Sequence, residues 1–157
     1  PTHAGVSPNT GEIYVSDGYG NSSVHRFSPG GDYIKSFGGP GRGPGQFVVP
    51  HSVRVSKDGR VYVADRENAR VQVFSEDGVF LQEWTDFKCP MGVHIDADDT
   101  VYVTDQVPRI SVLSLEGKLL ARGRTFENAH QVYTDSNGDI YGVDTANQRV
   151  QKFVRVR

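Results

Sequence analysis

The sequence predicts an all-β propeller of about four four-stranded antiparallel blades, and three observations predict it. A phrase recurs with a fixed internal distance: His3, His51, Met91 and His130 precede Asp17, Asp65, Asp105 and Asp144 by 14 positions each. The phrases follow one another at spacings of 48, 40 and 39 residues. A period near 40 with several short strands per unit marks a propeller, not a helical solenoid. Between the phrases, β-branched and aromatic runs alternate with glycine-bearing turns, and no helical periodicity competes with them.

The whole chain reads as one propeller with blades over residues 1–38, 48–86, 89–123 and 128–157, each made of strands a to d. In the first unit these fall at 4–6, 12–16, 24–27 and 33–37. Strand b is the clearest: Ile13-Tyr14-Val15, Val61-Tyr62-Val63, Val101-Tyr102-Val103 and Ile140-Tyr141-Gly142 suit a pleated surface covered on both sides. Strand c repeats an aliphatic residue and, three later, a large apolar one: Val24/Phe27, Val71/Phe74, Ile110/Leu113 and Val150/Phe153. Turns between a and b carry Gly11, Gly59 and Gly138, and those between c and d carry Gly31, Gly78 and Gly117, where tight hairpins need positive φ.

The extra length of the first period is the run 39–47. It lacks the Gly-Lys-Ser/Thr ending of a phosphate loop and no helix follows, so it reads as a blade-to-blade connection with Phe47 tucked under the next blade. The fourth unit has only Val154-Arg155-Val156-Arg157 after strand c, too little for strand d. An unpaired edge is a liability in a propeller. The expectation is therefore a part of a larger ring, or a protomer whose ring another copy completes.

The 157 residues suffice for one domain with a sizeable core. A net charge of −2 gives no reason to expect nucleic acid or an anionic membrane as partner. The single Cys89 makes no internal disulfide, and the compartment is unreadable from it. No apolar run is long enough for a membrane span and no signal peptide is evident, while Pro1 at the start reads as a processed or excised piece.

Strand a is the strand nearest the propeller axis, so His3, His51 and His130 converge at one mouth of the channel. Tyr19 and Arg66, in the loops after strand b, emerge on the same face. Three neutral imidazoles with an open fourth position are what a catalytic zinc site needs. A phenol becomes a base when a cation such as Arg66 favours its ionised form. The alternative is that histidine after proline merely begins a strand well. His94 reads as a variable strand-a position, matching Val6, Arg54 and Tyr133 in the other blades, and His25 as part of a polar outward face. Asp17, Asp65, Asp105 and Asp144 recur in every unit, as turn caps would. Arg70, Arg109 and Arg149 recur as well and read as anchors for neighbouring loops.

Pro-Gly-Gln-Phe leading into Pro-His, then Val-Tyr-Val-Ala-Asp-Arg-Glu-Asn-Ala-Arg-Val-Gln-Val-Phe, resembles the NHL repeat. Asp17-Gly18-Tyr19-Gly20-Asn21-Ser22, the segment 45–52 and Ala64-Asp65-Arg66-Glu67-Asn68 resemble the peptidyl-α-hydroxyglycine α-amidating lyases, a family of six-bladed NHL propellers; the match is specific over about 12–75. The resemblance implies cleavage of a peptidyl-α-hydroxyglycine to a peptide amide and glyoxylate, with zinc held by three histidines from alternate blades. It matches His51 and His130 to two of those ligands, Tyr19 to the base on the substrate hydroxyl, and Arg66 to the arginine beside it.

Departures from the family pattern are specific. The third family histidine falls before Pro1, and His3 stands where the lyases carry an acidic residue. Gly20 replaces a disulfide cysteine, and a second substrate-binding arginine has no counterpart. Asn128-Ala129-His130-Gln131 replaces Met-Pro-His-Asp, whose aspartate helps hold a structural calcium, which speaks against calcium here. Two functions follow: a lyase-like zinc enzyme acting on a peptide substrate, or a non-catalytic propeller that binds a protein or peptide partner through loop residues such as Arg42 or Phe87.

Overall fold

Four antiparallel meanders follow one another along the chain in the computed structural model, which describes residues 1–156. The first contains β1 (His3–Val6), β2 (Ile13–Asp17), β3 (Ser23–Phe27) and β4 (Tyr33–Gly38); the second β5 (Pro50–Val55), β6 (Val61–Asp65), β7 (Arg70–Phe74) and β8 (Phe80–Trp84). The third contains β9 (Pro90–Ile95), β10 (Val101–Asp105), β11 (Arg109–Leu113) and β12 (Leu119–Arg124), and the fourth β13 (Ala129–Thr134), β14 (Ile140–Asp144) and β15 (Arg149–Phe153). Each sheet pairs its strands in sequence order, and the last has three strands among the described residues. The only helix among them is a 3₁₀ turn at Arg66–Asn68, so none is long and apolar enough to cross a membrane.

The innermost strands β1, β5, β9 and β13 touch in succession, which arrays the sheets as propeller blades about an axis. Burial follows from position in the array. β6 lies between two neighbouring sheets, and all five of its residues are buried. In β2, which has a neighbour on one side only, buried Tyr14 and Ser16 alternate with half-buried Ile13, Val15 and Asp17. The same sequence motif thus reads as a continuous apolar run or as an alternation, according to how many faces are covered.

Three apolar clusters fill the gaps between sheets. Phe47 is fully buried between the first and second with Tyr14, Val53 and Phe74, as the sequence predicts. Its segment is fixed by Phe47 N–H to Gly39 O at 2.8 Å and Gly41 N–H to Phe47 O at 3.0 Å. Phe87, expected as an exposed binding residue, instead packs in the core between the second and third sheets with Trp84 and Val93. An apolar ring directly before a lysine in a short connection is drawn into the gap because burying it gains about 2–3 kcal/mol. The third cluster, Tyr102, Ile110 and Val132, is the smallest.

The recurrent aspartates do more than cap turns. Asp65, fully buried, accepts hydrogen bonds from Val48 N–H (2.9 Å), Arg70 Nε (2.9 Å) and Asn68 Nδ2 (2.7 Å). Arg70 continues to the carbonyls of Gly43 and Gln46, so an aspartate–arginine pair ties the incoming connection to its blade. Asp105 with Arg109 and Asp144 with Arg149 repeat the pair.

Candidate functional site

The axial side chains are aimed by a local irregularity. β5 pairs Pro50 with Asp65 and Ser52 with Ala64, leaving His51 as the extra residue of a bulge. β13 does the same around His130, pairing Ala129 with Asp144 and Gln131 with Val143, and β9 around Met91. A bulge turns its extra residue out of the sheet's alternation. The two imidazoles it frees here meet edge to face, with ring centroids 4.8 Å apart. His3 lacks this device: it pairs with Ser16 in regular register, and its Nδ1 accepts from Val53 N–H at 3.4 Å.

His51 is almost wholly buried. Its Nδ1 lies 2.8 Å from the carbonyl of Met91, which can only accept, so Nδ1 carries the proton and Nε2 presents its lone pair. The Tyr19 hydroxyl, 3.1 Å from Nε2, therefore donates to it. Arg66 donates in turn to the Tyr19 oxygen at 3.3 Å, with its guanidinium carbon 5.6 Å from the ring centroid. Arg66 is itself steadied by Glu67 at 2.9 Å and by its own N–H on Val49 O. Gly18 allows the approach of Tyr19, because a Cβ there would stand 2.5 Å from the Pro50 carbonyl oxygen.

Electrostatics keep the imidazoles neutral. Burial lowers the pKa of His51, and His130 and Arg66 lower it further. Burial and then Arg66 lower that of His130. His3 falls to about 4, through burial first and then the charge of Arg54, with His51 and His130 contributing less. Neutral imidazole is the form a metal binds, and a carbonyl-fixed Nδ1–H is the usual orienting partner of a histidine ligand.

Of the five predicted site residues, Tyr19, Arg66, His51 and His130 form one contiguous cluster and His3 lies to the side. His51 and His130 bring two imidazoles together; no group of three His, Cys, Asp or Glu assembles at ligand distance among the described residues. His25 is remote from the axis, held by Ser36 at 2.6 Å and Asp17 at 3.4 Å. The orienting role of Met91 escapes the sequence because it is played by the backbone carbonyl.

Comparison with known proteins is consistent across sequence and fold. The NHL repeat family model matches residues 47–74. Peptidyl-glycine alpha-amidating monooxygenase B of Xenopus laevis is 31% identical over 98% of this chain, which spans 20% of that protein. The probable peptidyl-alpha-hydroxyglycine alpha-amidating lyase of Caenorhabditis elegans is 42% identical over 48% of this chain and 22% of its own length. In fold, the Kuenenia stuttgartiensis hydrazine synthase structure superposes with a TM-score of 0.75 at 19% identity, over 99% of this chain and 49% of that one. The chain thus spans a fifth or so of these two relatives and about half of a solved structure of the same architecture.

Proposed function

We propose, from the premise that this chain is an NHL-repeat β-propeller related to the amidating lyases, that its axial cluster cleaves a peptidyl-α-hydroxyglycine into a peptide amide and glyoxylate. The observation that carries this reading is the chain of contacts from Arg66 to Tyr19 to His51, with His130 against His51. Tyr19, ionised, takes the proton of the substrate's α-hydroxyl. The O–H electrons become the aldehyde C=O of glyoxylate, the C–N bond breaks, and the amide nitrogen takes up a proton. No oxidant or water is consumed. Arg66 donates to the Tyr19 oxygen and fixes it in place, and the exposed position of Tyr19 leaves room for a peptide.

His51 and His130 would hold zinc, which supplies Lewis-acid polarisation of the α-hydroxyl oxygen when bound. His3 is the remaining member of the predicted ligand set. Calcium is left out of this reading, because Gln131 offers no carboxylate.

The test combines metal content per chain, native mass and glyoxylate release from an N-acyl-α-hydroxyglycine, on protein purified without added zinc. One zinc per chain or per closed assembly, lost in His51→Ala, together with glyoxylate release abolished in Tyr19→Phe, supports the reading. A folded chain that stays metal-free and inactive with zinc supplied overturns it.

One observation favours a second reading, a non-catalytic scaffold for a protein or peptide. The first and last sheets leave apolar side chains exposed: Tyr33 on one, Val143 and Val150 on the other. Under that reading His51→Ala leaves partner binding intact, whereas Val150→Lys weakens it.

A further inference from the structure

The third residue after each axial marker also lies on an innermost strand: Val6 on β1, Arg54 on β5, His94 on β9 and Tyr133 on β13. All four line one open cavity of about 250 Å³, whose wall also carries Lys57, Asp96 and Asp99. Tyr19, Arg66, His51 and His130 take no part in it. Positions that read as merely variable in sequence thus share one chamber.

Two polar side chains in its wall each keep an enclosed nitrogen without a partner in the fold. Arg54 is half-buried, its Nε is enclosed without a partner, and among the described residues it makes no ion pair. Arg70, Arg109 and Arg149 each hold an aspartate by contrast. His94 is only 5% exposed; its Nε2 meets the Thr134 hydroxyl at 2.9 Å, and its buried Nδ1 has no partner. A partly dehydrated guanidinium without a counter-charge is costly, and neither carboxylate of the cavity wall, Asp96 or Asp99, pairs with it. Asp96 is committed elsewhere, accepting from Asp98 N–H, Thr100 N–H and the Tyr102 hydroxyl.

The remaining chemistry narrows the ligand. Arg54 is an anion receptor whose planar fork matches a carboxylate. Asp96 and Asp99 on the same wall disfavour a second negative charge. Tyr133, with its ring 4.4 Å from that of His94, and Val6 offer apolar surface to an organic group. We propose that this cavity binds a small organic monocarboxylate, held by Arg54 and His94 with its organic part against Tyr133 and Val6.

Calorimetric titration with benzoate tests this, with benzamide and inorganic phosphate as comparisons. One benzoate binds per chain, and benzamide binds at least about tenfold more weakly, a difference of about 1.4 kcal/mol. Arg54→Gln abolishes binding without lowering the urea midpoint, because it removes a charge the fold does not pair. His94→Gln weakens binding, and His51→Ala leaves it unchanged, which separates this cavity from the amidating site. Absence of saturable binding, equal affinity for benzamide, tighter binding of phosphate, or retained affinity in Arg54→Gln would each overturn the proposal.

Discussion

His94 makes the fold acid-sensitive, and the size of the effect follows from its surroundings. The ring is 5% exposed, and its pKa is drawn down from 6.5 to about 4, by burial first and then by the charge of Arg54; Asp96 opposes them. The other polar groups around it are Thr134 and Tyr133 on β13 and Tyr102 on β10, with Lys57 and Asp99 on the cavity wall. A basic group with a depressed folded pKa binds its proton more readily in the unfolded chain. Stability is therefore undiminished above the unfolded pKa and falls as pH drops from 6.5 towards 4. At about 1.4 kcal/mol per pKa unit the full loss is about 3 kcal/mol. Urea unfolding of the natural protein and of His94→Gln, at neutral pH and near pH 4, isolates this share, because every other titrating group is common to both. The variant should lose about 2–3 kcal/mol less than the natural protein across the window. Equal losses within about 0.5 kcal/mol would refute the assignment of a neutral, dehydrated His94.

Three further outcomes follow from particular contacts. Tyr19→Phe should lower glyoxylate formation by about 10²–10⁴-fold, as loss of a general base does, while the unfolding midpoint stays put because Tyr19 is exposed. Gly18→Ala should weaken the same activity with Tyr19 intact, since the added methyl meets the Pro50 carbonyl and pushes the loop from His51; steady-state assays beside a denaturation curve check it. Asp65→Asn should cost on the order of 3 kcal/mol in urea unfolding, because it removes the buried carboxylate from the Arg70 guanidinium and leaves only the half-exposed Glu83 opposite it. A loss below about 1 kcal/mol would contradict that accounting.

The fold was readable because its determinants are local and repeated. Strand b announces itself through Val61-Tyr62-Val63 and its copies, and the turns through glycines whose φ is positive at 11, 59, 138, 31, 78 and 117. In the third blade Asp99 takes this backbone conformation with φ of 60°, without a glycine to mark it. The burial of Phe87 is not legible for a physical reason: nothing in a short connecting sequence tells whether a ring faces water or the gap between two sheets, and that gap exists only once the sheets have stacked.

The site was legible only in part, because equal spacing in sequence is not equal geometry. His3 and His51 each stand 14 residues before an aspartate, yet one pairs in register while the other is the extra residue of a bulge. The bulge costs one ladder position and turns His51 towards His130. β1, in regular register, leaves His3 against the Val53 amide and under the charge of Arg54. Arg54 and His94 escaped for the complementary reason. Their residue types differ from blade to blade, so a repeat-based reading discards them as variation. The succession of innermost strands puts four unlike positions around one cavity. In a repeat protein the recurring residues build the blades, and a specific chamber must come from positions where the repeats disagree. On the proposed reading, ligand recognition here belongs as much to Arg54, His94 and Tyr133 as to the recurring histidines.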